Sequence, residues 1–120
     1  MGGEMKGLTK AIQSGIVNEN MTVFGVMDFD GLSTTVEQLQ AAFTPNFYHT
    51  FAVKANSLLS VLIKLKSTGI GAEVASTGEL DLALAAGLTT DQIIYDSPAK
   101  TRTDLRRCLR EGVSVNLDNE

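Results

Sequence analysis

Lys54 is the residue whose type and setting most suggest chemistry. It closes the run Phe47-Tyr48-His49-Thr50-Phe51-Ala52-Val53, a β-favouring stretch where a charge is unexpected. Strand parity groups Lys54 with Ala52, Thr50 and Tyr48, and puts Phe47, His49, Phe51 and Val53 on the opposite face. A lysine withdrawn from water keeps more free amine, and a free amine attacks carbonyl carbon. The bland alternative is a solvated lysine at a strand end. Glu73 is the second candidate, since parity along Gly71, Glu73 and Ala75 puts it on one face of a short strand; its bland alternative is a surface glutamate.

Other polar residues read as structural. Asn56 and Ser76 each directly precede a helix-like segment and are expected to cap it. His49 is expected to pack outward, and Cys108 to lie on the apolar face of a helix. Lys100, in a loop that opens a helix, is expected to be solvated, and Asp96 and Asp118 could line the mouth of a barrel but are not chosen as site residues. No Cys-x-x-Cys, His pair or glycine-rich nucleotide loop is present, so no metal site is expected. Gly69-Ile70-Gly71 reads as a helix end and strand entry.

The elements that must position these residues alternate. Leu8 to Ile16 has helical spacing, and Thr22 to Met27 is β-rich and ends at the turn signal Asp28-Phe29-Asp30-Gly31. Leu32, Val36, Leu39 and Phe43 mark a helix face, with Thr34 and Glu37 at capping-box spacing and Thr44-Pro45 as the stop. A strand over 47–54 leads to a helix over 57–66, with Leu58, Val61, Leu62 and Leu65 on one face. A strand over 71–75 follows, and then a helix opened by the Ser76/Glu79 box and closed at Gly87. The last units are a strand over 92–95, a helix over 101–110 with Leu105, Cys108 and Leu109 inward, and a strand over 113–117. Such βα alternation builds a parallel α/β sheet, either doubly wound or part of an eight-fold barrel.

The wording around these elements narrows the choice. Phe51-Ala52-Val53-Lys54-Ala55-Asn56-Ser57, followed by an apolar helix and Gly69, resembles the cofactor-lysine motif of the ornithine, diaminopimelate and arginine decarboxylases, fold-type III pyridoxal-phosphate enzymes. The likeness continues through Gly71 to Leu80, Ala83 to Gly87, Ile93-Ile94-Tyr95, Pro98, Lys100 and Val115-Asn116-Leu117-Asp118. It implies the first three to four units of a pyridoxal-phosphate-binding (β/α)8 barrel over residues 31–120. Residues 1–30 would be an N-terminal segment whose strand joins a C-terminal β-domain. Lys54 would hold the cofactor through its aldehyde and act catalytically, and Glu73 would stand beside the cofactor. The family usually has aspartate at that place, one methylene shorter. A carboxylate near Lys54 would favour the protonated form of the cofactor-bound nitrogen.

The implied activity is decarboxylation of diaminopimelate, ornithine, lysine or arginine, with diaminopimelate the first choice. A homodimer is the implied assembly, and a chain of this length is expected to be inactive alone. An amino-acid racemase is the second reading. Racemases typically carry Tyr-Gly-His after the lysine, whereas Ser57-Leu58-Leu59 follows here. A non-catalytic regulatory relative is the third.

Composition agrees with a small-molecule role. The 120 residues carry a net charge of −4, opposite in sign to a nucleic-acid-binding face. A single cysteine excludes an internal disulfide. Polar residues interrupt Met1 to Asn20, and no run approaches the roughly 20 apolar residues that span a bilayer. The expectation is a cytoplasmic protein without nucleic-acid or membrane partners.

Overall fold

The computed structural model describes residues 2–21 and 23–118, with side chains from Met5 onward. Helix α1 spans Gly2–Gln13 and α2 spans Phe29–Ala41. Three βα units follow: β1 (Thr50–Ala52) with α3 (Leu59–Ser67), β2 (Gly71–Val74) with α4 (Thr77–Ala85), and β3 (Ile93–Tyr95) with α5 (Arg102–Glu111). Strand β4 (Ser114–Val115) completes a four-stranded sheet in the order β1-β2-β3-β4. Every pairing is parallel, and Ala52, Glu73, Ile94 and Ser114 stand in register across it. Parallel strands bring all their carboxyl ends to one edge, so Lys54, Ala75, Asp96 and Asn116 follow the strands on the same side.

Burial explains the strand parity. Ala72, Val74, Ile93 and Tyr95 are buried with Val53, Leu62, Leu80, Ala83 and Cys108 in the main core. Glu73 and Ile94, on the opposite face, remain half-buried. Fully burying a side chain of the size of Leu62 or Ile93 stabilises by about 1.5–3 kcal/mol. A second cluster joins α2 to α3 through Val36, Val61, Leu65 and Ile70, and Phe51 touches both clusters. The bulky β1 residue thus faces the helices, as its parity predicts.

Local chemistry sets the boundaries. Ser76 Oγ accepts from Glu79 N–H at 3.2 Å, while Glu79 Oε2 accepts from Ala75 N–H at 2.7 Å, so the expected box closes one residue earlier on its return arm. Helix α5 has a full box between Thr101 and Asp104. It ends at Gly112, whose φ of 78° lies in the left-handed region that favours glycine.

Several expectations are corrected. The box at Thr34 and Glu37 does not form, because α2 starts earlier: Asp28 caps it by accepting from Asp30 and Gly31 N–H. The turn signal at 28–31 is therefore the first turn of a helix. Helix α1 covers Gly2–Gln13 rather than 8–16. Residues 23–28 lie in no strand, for an extended segment needs a pairing neighbour, and residue 22 is outside the described residues. The strand expected over 47–54 is confined to Thr50–Ala52, because Val53–Ala55 tightens into a 3-10 turn. Leu58 and Leu109 face outward, 62% and 74% exposed: Leu58 is the residue before α3, and Leu109 lies beyond the α5 stripe that Cys108 anchors.

Candidate active site

The 3-10 turn carries Lys54 just past the carboxyl end of β1. Val53 on one side is completely buried, which anchors the turn, while the Lys54 side chain is 65% exposed. Lys54 therefore does not continue the strand, and its amine is accessible. The Glu73 carboxylate on β2 approaches Lys54 Nζ at 3.8 Å. The register Ala52↔Glu73 makes this meeting possible, since the lysine follows directly on the strand paired with the glutamate. Glu73 is 31% exposed on its side chain, so the pair lies at a wet edge. The sequence offers both residues as candidates, and the structure brings them together through the turn that follows β1.

Asn56 does not cap α3. Its Oδ1 accepts from Leu58 N–H at 3.1 Å and shapes the approach to the helix, whose preceding residue Leu58 supplies no side-chain cap. His49 packs edge-on against Phe43 with centroids 4.9 Å apart, which fits a packing role. Cys108 is buried in the core, and burial pushes its thiol above the ordinary range.

The residue that sequence reasoning misread is Lys100. Its side chain is 8% exposed, and its ammonium donates to Ser97 O at 2.7 Å and to Asp118 Oδ1 at 2.9 Å. Asp96 Oδ1 stands 3.8 Å away. The hydrogen bond from Lys100 holds Asp118 below the usual carboxylate range. Asp96 at i−4 was the one local signal; the Asp118 contact spans 18 residues and has none. The carboxyl edge thus carries two lysine–carboxylate groups, Lys54 with Glu73 on β1/β2 and Lys100 with Asp96 and Asp118 on β3/β4.

Residues 30–120 match the family model described as pyridoxal-dependent decarboxylase, pyridoxal binding domain. The chain belongs to this family. Its parallel βα units are the front part of the (β/α)8 barrel of these pyridoxal-dependent decarboxylases. The chain is 51% identical over 63 residues to diaminopimelate decarboxylase of Pseudomonas fluorescens, covering 52% of this chain and 15% of that one. It is 31% identical over 104 residues to ornithine decarboxylase of Caenorhabditis elegans, covering 86% and 24%. The crystal structure of diaminopimelate decarboxylase from Helicobacter pylori, a mutant complexed with L-lysine, superposes with a TM-score of 0.79 at 26% identity, covering 93% of this chain and 28% of that one. The chain thus spans 15% of the Pseudomonas enzyme's length and 24% of the Caenorhabditis enzyme's. Among the described residues of this pyridoxal-dependent decarboxylase domain, no cluster of metal-ligating side chains and no helix long and apolar enough to cross a membrane is present.

Proposed function

We propose that this chain supplies the cofactor lysine of a pyridoxal-phosphate-dependent amino-acid decarboxylase, with Lys54 as that lysine. The observation that carries the reading is the accessible Lys54 amine at the carboxyl edge of a parallel sheet, 3.8 Å from a carboxylate, inside a pyridoxal-binding domain. Barrels of this kind keep their active sites at that edge. The donor set fits the group: a primary amine for its aldehyde, and a neighbouring carboxylate to balance positive charge at nitrogen.

Bound pyridoxal phosphate supplies the electron sink that lets an α-carboxylate leave as carbon dioxide. The chain's own residues bind and orient. Lys54 Nζ would be the atom that holds the aldehyde carbon of the group. The Glu73 carboxylate, 3.8 Å away, would orient that nitrogen. The 3-10 turn, pinned by buried Val53, fixes the reach of Lys54.

The substrate is a small amino acid, and diaminopimelate is the first choice because a diaminopimelate decarboxylase shares 51% identity across 63 residues. Residues 1–30 form the N-terminal segment and 31–120 the barrel domain; residues 23–27 would gain a strand partner from a C-terminal β-domain. Assembly as a homodimer and a cytoplasmic location complete the reading.

The test uses the gene product carrying this chain, purified with pyridoxal phosphate. Borohydride reduction and peptide mapping should place a pyridoxyl group on Lys54, and Lys54→Ala should remove bound-cofactor absorbance and carbon dioxide release together. A pyridoxyl group on another lysine would sink the assignment.

A further inference from the structure

The face of the sheet turned away from the main core carries one row of residues in register, Ala52, Glu73, Ile94 and Ser114. Their neighbours along the strands, Ala72 with Val74 and Ile93 with Tyr95, are buried in that core, which assigns the row to the other face. In-register residues of adjacent strands stand side by side, about 4.8 Å apart. Glu73 therefore has a different neighbour on each flank. Toward β1 stands Ala52, whose side chain is a single methyl; toward β3 stands Ile94, branched at Cβ and half-buried. The Glu73 carboxylate takes the open flank: its Oε1 lies 3.8 Å from Lys54 Nζ, on the turn that follows β1.

We propose that Ala52 and Ile94 are positioning residues of the site: the methyl on one flank leaves the Glu73 side chain a path to Lys54, and the branched side chain on the other closes the path toward β3. The inference deepens the reading of Lys54 as the cofactor lysine and rests on it. A glutamate side chain has several rotatable bonds, so the place of its carboxylate is set by which staggered wells its surroundings leave open. Charge alone holds it weakly, because the Lys54 side chain is 65% and the Glu73 side chain 31% exposed, and an exposed ion pair is screened by salt. Packing is not screened. With Ile94 cut back, wells on the β3 side become available, and two or three comparable wells would leave the carboxylate beside Lys54 about one-half to one-third of the time. The flanks of Glu73 thus decide whether a carboxylate faces the nitrogen that would hold the cofactor.

The experiment reads the meeting of the two side chains without the cofactor. The gene product carrying this chain, freed of pyridoxal phosphate, is treated with a water-soluble carbodiimide, which joins a carboxylate to an amine already beside it. Formation of the Lys54–Glu73 amide is followed by peptide mass spectrometry, with the Lys100–Asp118 amide as reference, since those two groups meet at 2.9 Å. Ile94→Ala should slow the Lys54–Glu73 amide about twofold to threefold relative to that reference. Ile94→Val keeps the branch at Cβ and should hold the wild-type rate. Ala52→Val puts a good strand residue in the path and should slow the amide about twofold or more. Each variant's ratio to wild type should persist in roughly 1 M salt, where the Debye length is about 3 Å. An unchanged rate in Ile94→Ala or in Ala52→Val, a fall shared equally by the Lys100–Asp118 amide, or a difference that high salt abolishes would overturn the proposal. If Ile94→Ala does not fold, Ala52→Val decides alone: slower amide formation supports the proposal and an unchanged rate sinks it. Failure of the cofactor assignment shows separately, as a borohydride-fixed pyridoxyl group on some other lysine.

Discussion

Gly71 opens β2 opposite Thr50, two residues before Glu73, and the space above it is filled. A Cβ placed there would collide with Tyr48 Oη and come within 2.5 Å of Gln92 O. Its backbone is outside the left-handed region, so Gly71→Ala tests space rather than torsion. Loss of unfolded-state freedom would favour alanine by about 0.4–1 kcal/mol. Overpacking a tight site costs typically 1–3 kcal/mol. The clash prevails because one of the two contacts is a backbone oxygen in the turn leading into β3, which cannot rotate away. The expected net loss is roughly 1–2 kcal/mol, a urea midpoint lower by about 0.5–1 M at ordinary m-values. Equilibrium unfolding of the gene product followed by circular dichroism measures it. Adding Tyr48→Ala removes only the side-chain contact and should recover less than half of the loss. A midpoint unchanged in Gly71→Ala, or full recovery in the double variant, would refute the packing argument. Because Gly71 and Glu73 share one face of β2, cofactor affinity should weaken in the same variant.

Three further outcomes follow from named contacts. Ser76→Ala removes the acceptor for Glu79 N–H and should cost about 0.5–2 kcal/mol in chemical denaturation, while Ser76→Thr should cost less. Asp118 is held below its ordinary range by Lys100, so its stabilising contribution is present above the unfolded aspartate value and is lost as pH falls through the folded one; acid titration of stability below about pH 4 should therefore be shallower in Lys100→Met than in wild type. Cys108 is buried and its thiol raised, first by that burial, so an aromatic disulfide reagent at pH 8 should label it only at the rate of unfolding; rapid labelling of the native protein would contradict the packing of α5.

Much of this domain is written in short-range order. The glycines at 69, 87 and 112 end helices with positive φ, and the Ser76/Glu79 pair opens α4, because these signals act within one helical turn. Strand parity likewise placed Glu73 opposite the buried Ala72 and Val74, since alternation is a property of the backbone alone, whereas Lys54 leaves the strand in a 3-10 turn that parity does not describe. Where sequence reasoning erred, the deciding contact was distant or competed with an equally good local one. Asp28 won the start of α2 from Thr34, and Leu58 and Leu109 kept an apolar type without finding a covering surface.

The sequence by itself determined the succession of βα units, their parallel order and the candidacy of Lys54, because periodicity, caps and a motif are local. Only the tertiary structure decided that Lys54 meets Glu73 at 3.8 Å from within a 3-10 turn, and that the nearly buried Lys100 side chain meets Asp96 and Asp118. Those outcomes depend on sheet register and on the nearness of strand ends far apart in the chain, and no spacing of residues along it encodes either distance.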